Sequence, residues 1–246
     1  MSYVSLVMRS GVKTSFRMRS VVLVAIGVVF ICVVGVAIIF ATQFIGPGMK
    51  DANPDSSLLA NYLGLILFTT SFMSIGIFAS VIAFQSLVRE KTRGNIQALL
   101  ATPLTPADLW LGKTLAVFAP GFVFAVIMTI AVFIVINSIY FIPEIGVVLT
   151  PGMLVSSLVV VPLVYFALML LVHEIGISAR PVTANILAQL FLPVVITLMI
   201  NLVTRNVINA GSWLFTVVLL GLALIIGVFV LVLRSKLTVE KIILSQ

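Results

Sequence analysis

The chain has 246 residues, of which 62% are apolar and 9% charged, with a mean hydropathy of +1.33 and a net charge of +7. No soluble domain of that length hides so much apolar surface, so the composition excludes a water-soluble enzyme or nucleic-acid module and defines an integral membrane protein. Cys32 is the one cysteine and lies in an apolar run, which excludes a disulfide framework or a cysteine metal site and reads as a buried structural thiol.

In chain order, residues 1–20 come first. Arg9, Lys13 and Arg17 step by four along one helical face, and Val4, Met8, Val12 and Met18 fall on another. The pattern predicts an amphipathic helix in the cytoplasmic interface, its basic side chains toward lipid phosphates or a partner. The other reading is an unstructured basic leader that only sets orientation. The run 21–42 is too long for a signal h-region and has no small-x-small cleavage site after it, so it is expected to be an uncleaved first span. The stretch 43–57, rich in Gly, Pro, Asp and Asn, reads as a loop. The second span, 58–88, covers about 31 residues and so roughly 46 Å, longer than a hydrocarbon core of about 30 Å. It is expected to tilt or to project into the cytoplasm, carrying the 89–113 loop with it.

Thr105-Pro106-Ala107-Asp108 is a helix start, with Thr105 as N-cap, Pro106 in the first helical position and Asp108 as reciprocal cap. That helix spans at 114–141, with Pro120 a candidate kink. Further spans are predicted at 153–178, 183–203 and 212–233, followed by a basic tail. The whole, 1–246, reads as a single all-α transmembrane domain with six spans. In this layout only Lys50 and Arg205 of the fourteen Lys and Arg lie on the outer side. Such a bias places both termini in the cytoplasm of a plasma-membrane protein and accounts for the positive charge without nucleic acid. Tyr62, Tyr140 and Trp213 fall at the outer boundary and Trp110 at the inner one, where interfacial anchors sit.

The stretch that organises this reading is Arg89–Lys113. Between two long apolar helices it holds a short amphipathic piece, 95–101, preceded by Gly94 and closed by Thr102-Pro103, since a residue before proline leaves the α region. The residues Glu90, Gly94, Leu99-Leu100 and Pro103, followed by Gly112-Lys113, resemble the first cytoplasmic loop of type-2 ABC exporter permeases, which read E-x-x-x-G-T-x-E-x-L-L-x-x-P shortly before I-x-x-G-K. Asn95 and Gln97 depart from that pattern. The resemblance implies a coupling helix in which Glu90, Gly94, Asn95, Ile96, Leu99, Leu100 and Pro103 meet an ABC ATPase subunit. It implies two permease subunits, as a homodimer or a heterodimer, and ATP with Mg on the partner ATPase, with no cofactor on this chain. Glu90, among Arg89, Lys91 and Arg93, reads either as a compensating acid in a solvated run or as a salt-bridged pivot.

Other motifs are weaker. Gly112-Lys113-Thr114 is not a phosphate loop, because position 107 is Ala and the segment is helical. His173-Glu174 lacks a second histidine at 177, so no H-E-x-x-H zinc site forms. The pair reads either as a membrane-edge pair tied to nearby loops or as a functional ionisable site. Asn185, Gln189, Pro193, Thr197 and Asn201 step by four along the fifth span, a stripe that is either a polar wall of a substrate route at a dimer interface or interhelical hydrogen-bond glue. The sequence is therefore expected to be a permease subunit exporting a lipid-like, drug-like or other amphipathic small substrate. The alternatives are an ATP-independent channel or secondary carrier, against which no clear repeat and no midplane carboxylate stand, and an intramembrane enzyme resting on His173-Glu174.

Overall fold

A computed structural model of the protein describes residues 3–17, 19–49, 55–92, 104–178 and 181–234, with the side chains of 15, 82–92, 178, 181, 182, 184 and 185 left out. Most described residues are helical, and among them there is no strand. Helix α1 covers Tyr3–Arg17, and α2 covers Arg19–Phe40, continuing through a π turn, Ala41–Ile45, to Met49. Helix α3 is Ser56–Thr92, and α4 is Pro106–Ile136 with a π turn at Asn137–Phe141. Helix α5 runs from Pro151–Val155 through a third π turn, Ser156–Val160, into Val161–Ser178. Helices α6, Pro181–Thr204, and α7, Trp213–Arg234, complete the chain. Six of these, α2 to α7, are long and apolar enough to cross a membrane.

Helix α3 is the axis of the bundle. It packs against α2, α4, α5 and α6, and 78% of its most apolar window is buried, against 22% for α6 and for α7. The outer helices therefore each keep a broad apolar face for lipid or for another chain. Two apolar clusters meet on α3. One joins it to α2 and α4 through Leu63, Leu67 and Phe78. The other joins it to α5, α6 and α7 through Phe68, edge-on to Phe215, and Phe72, which meets Tyr165 at a tilt and stacks on Phe191. Gly76 permits the closest approach: a Cβ there would collide with Tyr165 Oη and Leu192 Cδ1.

Polar side chains lock the connections at the end of the bundle away from α1. Asn137, in the π turn of α4, accepts from Val148 N at 2.8 Å, and Asn61 of α3 accepts from Ala210 N at 2.6 Å. Thr216 donates to Gly152 O at 3.3 Å. The first two bonds satisfy backbone N–H groups in the connections, which have no helical partner.

Several boundaries differ from the sequence reading. Gly46-Pro47-Gly48 does not open the loop expected over 43–57; the helix continues to Met49. The preceding π turn shifts the pairing, Gly46 N donating to Ala41 O, and the burial of Ile45 and Met49 beside Leu59 and Leu63 outweighs the local turn preference. The second helix starts at Ser56, because Asp55 Oδ1 caps Ser57 N at 2.8 Å, and it runs to Thr92 rather than ending at 88. The helix start at Thr105 is as expected: Asp108 N donates to Thr105 Oγ1 at 3.1 Å and Thr105 N to Asp108 Oδ2 at 3.2 Å.

Candidate functional site

Two places concentrate features that ordinary packing does not require: the end of the bundle that carries α1, and the uncovered face of α6. At the first, the ends of α3 and α4 bracket the segment that the sequence pattern suggested as a coupling helix. Gly94, Asn95, Ile96, Leu99, Leu100 and Pro103 lie outside the described residues, and Glu90 lies in the last turn of α3, its backbone alone described.

What the structure does describe here is the base of α4. Leu109 and Trp110 are buried with Val7 of α1, Ile177 of α5 and Val230 of α7. Trp110 is 3% exposed. Its indole Nε1 donates to Leu170 O at 2.8 Å, and the Arg234 guanidinium stands 5.8 Å from the ring centroid. This corrects the interfacial-anchor reading of Trp110: the ring faces neighbouring helices, where its N–H finds a carbonyl. Trp213, by contrast, is 58% exposed, as an anchor is. A single side chain thus ties the start of α4 to α5 and α7.

Helix α1 is clamped to the same base. A Cβ on Gly112 would lie 2.7 Å from Val7, and one on Gly11 would lie 2.8 Å from Ala116 Cβ. Small residues on both helices bring the backbones together, as is usual where membrane helices cross. Gly112, which suggests phosphate binding when read alone, serves this crossing. The basic leader is therefore a helix, and one face of it is covered by α4.

His173 and Glu174 are buried, 1% and 3% exposed. His173 Nδ1 lies 2.9 Å from Met169 O of its own helix. Arg180, the partner suggested by the sequence, lies outside the described residues. Among the described residues, no group of three or more His, Cys, Asp or Glu is placed to hold a metal ion.

On α6, Val195, Ile196, Met199 and Val203 are buried toward the bundle, whereas Gln189, Pro193, Thr197 and Asn201 are exposed. Asn185 is helical, with its side chain outside the description. Thr197 and Asn201 line an open groove of ≈ 720 Å³ with Pro193, Val194, Leu198 and Arg205, and Gln189 lies outside it. Asn201 Nδ2 donates to Thr197 O at 2.9 Å. Among the described residues, Gln189, Thr197 and Asn201 stay exposed and no other helix covers them.

Sequence reasoning passed over two features. The run Thr69-Thr70-Ser71, with Ser74, is buried on α3, and Thr129 of α4 and Ser157 and Tyr165 of α5 are also interior. Its signal was present as a polar run inside an apolar span. The three π turns had no comparable signal, and two of them bound an apolar crevice of ≈ 320 Å³ between α2 and α4 that includes Ala41 and Tyr140. Such turns are frequent at functional sites.

Six apolar spans, one of them a buried axis for the other five, define a multi-pass membrane protein. The chain belongs to the ABC-2 transporter family: the family model described as ABC-2 family transporter protein matches residues 12–192. No curated protein and no solved structure matches it. The match runs from α1 into α6 and spans the segment between α3 and α4, so the chain is the membrane-spanning permease component of an ABC transporter. Membership implies partnership with ABC ATPase subunits.

Proposed function

We propose that the chain pairs through α6 with a second permease subunit, as a homodimer or a heterodimer, and exports an amphipathic, lipid-like or drug-like small molecule. The energy comes from ATP bound with Mg on partner ATPases, and no cofactor sits on this chain. The observation that carries the reading is the uncovered stripe on α6. Amide and hydroxyl groups facing hydrocarbon are costly, and a second subunit placed there converts the stripe into one wall of a shared route. Thr197 and Asn201 hold the polar part, Leu198 and Val194 the apolar part, and Arg205 stands at the far mouth. Gln189 and Asn185 continue the wall toward the coupling end. That mixture suits a molecule with both a polar and an apolar portion.

The segment 95–101 is the handle. Leu99 and Leu100 dock in a groove of the ATPase, Glu90 pairs as a pivot, and Gly94 and Pro103 set the aim of the helix, with Asn95 and Ile96 at its start. The base of α4 passes the motion through Trp110 to α5 and α7. The ATPase can shift the cavity between inward and outward access only if it holds the handle differently in the two states. Both termini face the cytoplasm of a plasma-membrane protein, consistent with the basic bias.

The test is oxidative cross-linking of Thr197→Cys in a Cys32→Ser background. A disulfide-linked permease pair is expected, whether of two identical chains or of this chain with a second permease. A chain that stays uncrosslinked at Thr197 while Leu163→Cys, on α5, cross-links to a neighbouring permease would overturn the pairing.

A further inference from the structure

We infer that α1 is a binding surface for anionic lipid headgroups, and that their occupancy biases the coupling end of the transporter. The helix exposes Arg9, Lys13 and Arg17, and Arg19 follows at the start of α2. It contains no acid. The nearby acid of α4, Asp108, is engaged by Thr105. The exposed side also carries Leu6, 57% exposed, and Phe16, 44% exposed. Basic side chains interleaved with large apolar ones suit the boundary between headgroups and acyl chains. A soluble polyanion would use the charges and leave Leu6 and Phe16 in water. Position supports the same occupant: one residue separates Arg17 from Arg19, where the first span begins, so the basic row lies within reach of the phosphates of one leaflet.

The opposite face of α1 gives this binding a consequence. Val7 against Gly112 and Gly11 against Ala116 are backbone-close contacts that do not slide freely. A headgroup holding the basic row therefore also holds the base of α4, which directly follows the coupling segment. Lipid charge then sets how readily that base moves when the ATPase pulls. This regulatory step rests on the proposed function; the lipid binding does not.

The experiment uses the full chain in phosphatidylcholine vesicles doped with spin-labelled phosphatidylglycerol or spin-labelled phosphatidylcholine. The fraction of motionally restricted label reports association. The unmodified chain is expected to prefer phosphatidylglycerol several-fold, with the preference falling as salt rises. Arg9→Gln with Lys13→Gln and Arg17→Gln is expected to remove most of it, while Arg9→Lys with Arg17→Lys keeps it. If the triple variant cannot be purified, Lys13→Glu, a single change at an exposed position, is expected to reduce the preference at least twofold.

A glutamine variant that keeps the full preference overturns the proposal. So does one that keeps it and instead loses capture of the partner ATPase, which would assign the face to a protein. Normal lipid preference with no ATP-driven transport in any lipid would strike the proposed function and leave the headgroup site standing.

Discussion

Replacing Trp110 with Ala tests the claim that the base of α4 is a packed hub. The indole is 3% exposed, its Nε1 bond to Leu170 O is 2.8 Å, and Arg234 stands 5.8 Å from its ring. Large-to-small changes of this kind in a core cost about 3–5 kcal/mol. In a bilayer the displaced apolar surface still meets lipid, so the cavity and lost contacts dominate and the low end, about 3 kcal/mol, applies. At roughly 2–4 °C per kcal/mol for a chain of this size, the melting temperature should fall on the order of 10 °C. Trp110→Phe keeps most of the ring and loses the N–H bond, worth about 1 kcal/mol, so it should fall between the two. The control is Trp213→Ala: that ring is 58% exposed, and truncating it should cost under about 0.5 kcal/mol. Loss of the monodisperse peak on heating, followed by size-exclusion chromatography in detergent, measures all three. Equal shifts for the two alanine variants would show that Trp110 is an interfacial anchor after all.

Three further outcomes are expected. Leu99→Asp or Leu100→Asp should weaken capture of the ATPase or uncouple hydrolysis from transport while the spans still insert, because burying each leucine is worth roughly 1.5–3 kcal/mol; Gly94→Pro should uncouple by misaiming the helix. Gln189→Leu, Asn201→Leu and Asn185→Leu should leave membrane yield nearly unchanged, since single interhelical hydrogen bonds in membranes average about 0.6 kcal/mol, yet alter substrate-stimulated hydrolysis; lost yield with normal activity per molecule would favour a packing role. With Cys32→Ser as background, an impermeant thiol reagent should label Asp51→Cys from outside intact cells and spare Thr92→Cys and Ser245→Cys; outside labelling of Thr92→Cys would invert the topology.

Hydropathy made the six spans legible, because about 20 apolar residues in a row have few other uses. Local chemistry also made the start of α4 legible, since the Thr105–Asp108 box depends on residues three apart. Hydropathy does not say which face of a span meets protein and which meets lipid, because both surroundings are apolar. That is why Trp110 read as an anchor and why the docking of α1 through Gly11 and Gly112 went unseen. The loop reading of Gly46-Pro47-Gly48 failed for a related reason: local propensity lost to the burial of Ile45 and Met49. The stripe on α6 was legible as a spacing, but that Gln189, Thr197 and Asn201 face away from the other described helices emerged only from the packing of Val195, Ile196, Met199 and Val203.

On the proposed function, this permease moves substrate only when an ATPase grips it. Reconstituting the chain in vesicles with and without its co-purified ATPase, and measuring vanadate-sensitive hydrolysis together with movement of a fluorescent amphipathic probe, tests it most directly. The probe is expected to move only when ATPase and ATP are both present, and Leu99→Asp is expected to abolish this movement. Probe movement through the purified chain alone, at the same rate without ATP, would contradict it.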